Sequence, residues 1–237
     1  MGFYLPMIKP AVAVLVCLAA AGCATTTAGT AAPAAREALT TAETLPTLLL
    51  PATDVGSALS GGDMVVTRDV TTPWDDSAHF DGAAGGAGCL AVAGAAQRGV
   101  YSDSGWARMH GQVLREPPTT PAWSHYAVQA VVLFPTATAA ADFYARSRDT
   151  WADCSNRELA YAQQPAPDQL WSVGPVSTED EVLAVSREQR SPQHWFCQRA
   201  LTVHGNVGVD VEACSLDGAT SAAAAIAHSI ADRLPNA

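Results

Sequence analysis

The chain has 237 residues, is 49% hydrophobic and 15% charged, and carries 13 basic against 23 acidic residues, for a formal net charge of −10. That balance excludes nucleic acid and anionic lipid as partners recognised by charge, because both reward basic patches. The length suits one domain with a real core once terminal segments are set aside.

The chain opens with a short basic region at Lys9, an apolar run from Ala11 to Ala21, and Gly22-Cys23 followed by a polar Ala/Thr tail. Residues 1–22 read as a signal peptide, too short and wrongly flanked for a stable membrane span. Small residues ahead of Cys23 resemble the lipobox of bacterial lipoproteins, although Ala20 stands where that motif usually has Leu. The resemblance implies cleavage before Cys23 and acylation of its thiol, so the membrane is a partner through a lipid anchor. Cleavage removes Lys9, the only lysine, and no acidic residue, so the mature chain is more acidic still. Attachment then rests on acyl chains, of which two suffice.

Residues 23–44 are Ala, Thr and Pro with hardly a large apolar side chain; this is a disordered tether. The domain is placed at 45–237. Leu48 to Leu50 are expected to be buried, Pro51 suits the first turn of a short helix running to Leu59, and Gly61-Gly62 ends it. Met64 to Val70 reads as a strand. Thr71 to Gly88, rich in Gly, Asp and Ser, is a long loop leading to Cys89 and the apolar segment that ends at Ala96. Trp106 to Arg115 is a strand, and a Pro-rich turn follows at Pro117 to Pro121. His125 to Phe134 is apolar on both alternating faces and is expected to be a central strand covered on both sides. Thr136 caps a helix from Ala137 to Trp151, with Ala140, Phe143, Tyr144 and Ser147 at helical spacing and Cys154 just past its end. Leu170 to Val176 and Val182 to Glu188 alternate as strands. The last helix, Ala219 to Leu234, carries one stripe of Ala223, Ile226, Ala227, Ile230 and Leu234.

The stretch Trp195 to Cys214 is the strongest local signal. Gly205-Asn206 between two runs rich in Val, Leu and Thr predicts a two-residue hairpin turn. With His204 opposite Val207, Ala200 faces Val211, Arg199 faces Glu212, and Cys197 faces Cys214 at a non-hydrogen-bonded pair, where opposed side chains lie closest. Of the six cysteines, Cys17 leaves with the signal peptide and Cys23 takes the lipid. An exported chain with four left forms two disulfides. The hairpin register assigns Cys197 to Cys214, which leaves Cys89 for Cys154. The expected fold is α+β: a mostly antiparallel twisted sheet with helices packed on one face and a ligand-type cleft.

The succession YSDSGWARMHGQVLREP, VQAVVLFPTATAAADFYARSRDTWADCSNR, LWSVGPV and CQRALTVHGNVGVDVEAC, closed by an Ala-rich helix, resembles the PknH-like extracellular sensor domains of actinobacteria. The resemblance covers about residues 45 to 235; Trp151-x-x-Cys154 and the Cys197 to Cys214 element are its most specific parts. It implies the same two disulfides, a large cleft and an undefined extracellular ligand. Neither a kinase domain nor a transmembrane helix is read in this sequence, so no enzymatic activity is expected.

No G-x-S-x-G elbow, H-E-x-x-H or phosphate-binding Gly loop is present. His194 near Cys197 has the spacing of a ligand pair, but that cysteine is taken by a disulfide, so no metal and no cofactor are expected. Ser102, Asp103 and Ser104 read as turn chemistry. The candidate ligand-binding residues are Trp106, Gln112, Tyr126, Gln129, Trp171, Trp195 and Arg199, because aromatic walls with a few fixed polar groups suit a small molecule, glycan or lipid. The competing reading makes the tryptophans core anchors, Gln129 a satisfied interior amide, and Arg199 a cross-strand partner of Glu212. The expected function is a sensor-like domain, anchored on the outer face of the cytoplasmic membrane, that binds an extracellular ligand. The alternative is a docking module for a membrane protein such as a receptor kinase or transporter; a flat apolar patch would mark it.

Overall fold

The computed structural model describes residue 2 and residues 39–80, 87–120, 122–163, 165–192, 194–218 and 221–235. Among these residues eight strands form one sheet: β1 (Val65–Val70), β2 (Arg108–Arg115), β3 (His125–Leu133), β4 (Glu158–Tyr161), β5 (Gln169–Glu179), β6 (Val182–Gln189), β7 (Phe196–His204) and β8 (Val207–Ser215). Their order is β1-β2-β3-β8-β7-β6-β5-β4, and each pairing is antiparallel. The β7–β8 register matches the expectation pair by pair, Cys197 opposite Cys214 and Arg199 opposite Glu212 included. Gly205 supplies the positive φ that the turn needs, at +53°. The turn between β5 and β6 has no glycine: Asp180 and Glu181 take φ of 46° and 63° there.

Among the described residues six α-helices flank the sheet: α1 (Leu45–Leu48), α2 (Ala52–Ala58), α3 (Leu90–Ala93), α4 (Arg98–Tyr101), α5 (Ala137–Asp153) and α6 (Ala222–Ala231). They are not confined to one face, as the sequence reading had them. On one face, Ala130 and Val132 of β3 join Leu183, Val185 and Leu201 under α3, α4 and α5, with Phe143 and Trp151 at the centre. On the other, Ala127 and Val131 join Val207, Val209, Val211 and Ala213 under α1, α2 and α6, with Ile226 and Ile230 at the centre. The reason lies in the central strands: β3 is apolar at odd and even positions alike, and a strand apolar on both faces needs cover on both. β8 beside it is apolar at Val207, Val209, Val211 and Ala213 on one face and carries Asp210, Glu212 and Cys214 on the other, all buried.

The Thr136 hydroxyl accepts the Ala139 N–H at 3.1 Å and caps α5, and Cys154 is its C-cap residue. The two disulfides are Cys89–Cys154 and Cys197–Cys214. Before α1, Thr40 is tied to the β7–β8 turn. The Thr40 N–H donates to Asn206 Oδ1 at 3.0 Å, and Asn206 Nδ2 donates back to the Thr40 carbonyl at 3.1 Å. The signal-peptide cleavage, Cys23 and the rest of the tether lie outside the described residues. No helix among the described residues is long and apolar enough to cross a membrane.

Candidate functional site

Period-two alternation carries polar side chains onto the α5 face where the apolar cover runs out. In β6, Leu183 and Val185 face the core and the next residues on that face are Arg187 and Gln189. In β7 and β8, the same face receives Cys197, Arg199, Asp210, Glu212 and Cys214. Arg187, Arg199, Asp210 and Glu212 are all buried. Charges in an interior need partners of opposite sign, and each of the four has one.

Arg187 pairs with Glu212, and its guanidinium lies 4.6 Å from the centre of the Trp171 ring. Arg199 pairs with Asp210 at 2.7 Å, one step along β8 from the expected Glu212. Glu212 is directly opposite Arg199 but is taken by Arg187, which reaches it across β7. Asp210 also accepts the Ala96 N–H at 2.8 Å and the Tyr101 hydroxyl at 2.9 Å. Arg199 Nη2 donates to the Ala91 carbonyl at 3.1 Å. The buried charges therefore clamp the segment between α3 and α4 onto the sheet. Ala96 is held there at a φ of 53°, a left-handed conformation that costs a residue with a Cβ about 1 kcal/mol or more. Burial and the Asp210 carboxylate raise the Tyr101 phenol well above its ordinary range.

Beside this clamp the same face opens into a cleft of about 350 Å³. Tyr126, Trp171 and Trp195 line it, with Tyr161 and Trp123 completing an aromatic wall. Trp123 and Trp195 lie 5.0 Å apart, centre to centre. Arg115, Arg187, Gln163, Gln169 and Gln189 add polar groups, and the Cys197–Cys214 bridge forms part of the floor. A smaller space of about 170 Å³ continues from it, sharing Tyr126, Trp171 and Arg187, toward Trp74, Asp76 and Gln97. Gln97 fixes that end: its Nε2 donates to Asp76 Oδ2 at 2.7 Å, and its Oε1 accepts the Asp76 N–H at 3.1 Å. Burial first, and the Glu212 carboxylate second, push the Tyr126 phenol above its ordinary range, so it enters the cleft as a hydroxyl.

Of the seven ligand candidates, Tyr126, Trp171 and Trp195 line the cleft. Arg199 lies beneath it, 2% exposed and 5.3 Å over the Trp151 ring. Gln129 points to the opposite face as a satisfied interior amide. It accepts the Leu50 N–H and donates to the Leu50 carbonyl, both at 2.9 Å, and donates to Gln112 Oε1 at 3.1 Å. Gln112 in turn donates to Asp69. Trp106 is partly buried against the α5 core. Sequence reasoning missed Arg187, Arg115, Trp123, Tyr161 and Gln169. Arg187 had a signal, because the alternation of Val182 to Glu188 already put an arginine on the face of Leu183 and Val185. Glu158–Tyr161 had none, since four residues in a Pro-interrupted stretch do not announce a strand.

Cys197, Glu212 and Cys214 bring ligand-type atoms within 4.8 Å of one another. Both sulfurs are spent in the disulfide and the carboxylate is spent on Arg187, so that cluster is not a metal centre.

An antiparallel sheet covered on both faces, braced by two disulfides and opening an aromatic cleft on one of them, defines a disulfide-stabilised α+β domain suited to an oxidising compartment. Residues 40–233 match the PknH-like extracellular domain family, and the chain belongs to it. It is 30% identical over 192 residues to the serine/threonine-protein kinase PknH of Mycobacterium tuberculosis (strain ATCC 25618 / H37Rv), covering 81% of this chain and 29% of that kinase. The PknH of Mycobacterium bovis (strain ATCC BAA-935 / AF2122/97) is likewise 30% identical, with 81% and 31% covered. The chain thus spans less than a third of the length of these curated relatives. The crystal structure of the extracellular domain of PknH from Mycobacterium tuberculosis superposes with a TM-score of 0.73 at 28% identity, covering 82% of this chain and 96% of that one.

Proposed function

We propose that this protein is an exported, sensor-like lipoprotein, tethered to the outer face of the cytoplasmic membrane through Cys23, whose domain binds a small envelope molecule, glycan or lipid without transforming it. The observation that carries the reading is the cleft. Tyr126, Trp171 and Trp195 form a wall over a space of ligand size, and Arg115, Gln163, Gln169 and Gln189 converge on it. Concave, mostly apolar surfaces with a few convergent polar groups are what small-molecule recognition requires. Membership of an extracellular domain family supports export, and the lipobox-like stretch before Cys23 supports the anchor. A second reading, a docking module for a membrane protein, draws on Trp123, which is 42% exposed at the rim.

Native mass spectrometry of the mature protein, purified from the envelope of an actinobacterial host, tests both parts. A discrete extra mass that leaves on denaturation is expected. A diacylglycerol mass that persists on the chain and is lost in Cys23→Ala is expected beside it. A bare cleft would overturn the ligand reading in favour of docking, and a mature chain without acyl mass would overturn the anchor.

A further inference from the structure

The cleft's charges are not all spent internally. Of the two arginines that line it, Arg187 pairs with Glu212. Arg115 has no such partner among the described residues. Its guanidinium lies over two rings, 4.7 Å from the centre of Trp123 and 5.4 Å from that of Tyr126, and its Nε, like those of Arg187 and Arg199, is buried with no acceptor. β2–β3 register explains the position, since Arg115 is directly opposite Tyr126. A recess of about 300 Å³ shares Arg115 and Tyr126 with the main cleft and adds Arg68 and Trp74. Arg68 is carried there by its pairing with Val113 and also has no ion-pair partner among the described residues. One acid, Asp76, lines the recess, and its Oδ2 already accepts from Gln97 at 2.7 Å.

Arg115 and Arg68 thus put two cations without ion-pair partners among the described residues at one end of the cleft, on a chain of net charge −10. A buried, unpaired N–H donor is costly to leave unmade, and a planar guanidinium held against aromatic faces is pre-organised for bidentate contact with an oxyanion. From this we infer that the ligand is an organic anion: a carboxylate or phosphate seated on Arg115, with Arg68 in support, joined to a flat or apolar body that lies against Trp123, Trp195 and Trp171. The inference rests on the ligand-binding reading of the cleft and narrows it to one chemical class.

The test uses three probes of one shape, 2-naphthoate, 2-naphthyl phosphate and neutral 2-naphthamide, titrated calorimetrically into the mature protein. At least one anion is expected to bind about tenfold more tightly than the amide, the ratio that a charge-assisted hydrogen-bonded pair supplies. Arg115→Gln should bring the anions to within about twofold of the amide measured on the same variant, and Arg115→Lys should restore part of the gap. A far-UV circular dichroism spectrum matching wild type shows that each variant is folded. Equal binding of all three probes, lost together in Trp171→Ala, would overturn the anion inference and leave the cleft reading standing. No binding of any probe would overturn the inference too, while the co-purified mass still decides the cleft reading independently.

Discussion

At the level of single residues, Arg187 and Glu212 show how this domain admits charge to its interior. Both are buried, and removing one partner leaves the other desolvated and alone. Glu212→Gln should therefore cost about 3 kcal/mol or more of stability in urea titrations, whereas replacing the pair together by Met and Leu should cost clearly less. A single-variant cost near zero would mean that water reaches the pair. Glu116 offers a separate, pH-dependent case. Burial alone would raise its pKa. Hydrogen bonds from the His125 ring at 2.7 Å, and from the Ser124 and His125 backbone N–H groups at 3.1 Å each, outweigh that and hold it down to about 2. A carboxylate held below its unfolded value of 4.5 stabilises the fold fully above that pH, and the contribution is lost as pH falls toward 2. Wild type should therefore exceed Glu116→Gln in stability at pH 7, with the gap closing below about pH 4.5. A gap of the same size at pH 7 and pH 2.5 would refute the assignment.

Between elements, the disulfides do different work. Cys197–Cys214 joins two strands already held by nine cross-strand pairs, and it closes 17 residues. Cys89–Cys154 closes 65 residues and pins the start of α3 to the end of α5, elements that share no backbone ladder. Chain entropy makes the first worth about 3 kcal/mol and the second about 4 kcal/mol. The double variant Cys89→Ala with Cys154→Ala should lose more stability than Cys197→Ala with Cys214→Ala, as read by guanidinium midpoints at matched slopes. The reverse order would mean that native strain or residual denatured structure governs both. Gln129 makes a third kind of link. Its amide forms two hydrogen bonds with Leu50, fastening the segment between α1 and α2 to β3 beside the apolar packing of Leu49 and Leu50.

For the molecule as a whole, what was legible follows from range. The β7–β8 hairpin, its cysteine pair and the α5 cap are set by residues within about twenty positions of one another, and all appear as expected. The pairing of β3 with β8 joins residues some eighty positions apart, so no local pattern announces it, and the cleft exists only because of it: Tyr126 comes from β3, Glu212 from β8, Arg187 from β6 and Trp171 from β5. Arg115 was read as a strand end because the nine-residue Pro-rich connection to Ser124 leaves the β2–β3 register open. The alternation of His125 to Phe134 predicts cover on both faces, as found, whereas the order of strands and helices alone predicts helices on one. That shared sheet has a consequence for unfolding. Phe143 fills the core under α5 and Ile226 the core under α6, yet both cores rest on β3, β7 and β8. Phe143→Ala and Ile226→Ala should each cost about 3 kcal/mol and, lying on opposite faces, should add nearly independently in the double variant. Tryptophan fluorescence and far-UV circular dichroism should still report one coincident transition in each case. Two separated transitions would show that each helical layer unfolds by itself and that the central strands do not bind the two cores into one cooperative unit.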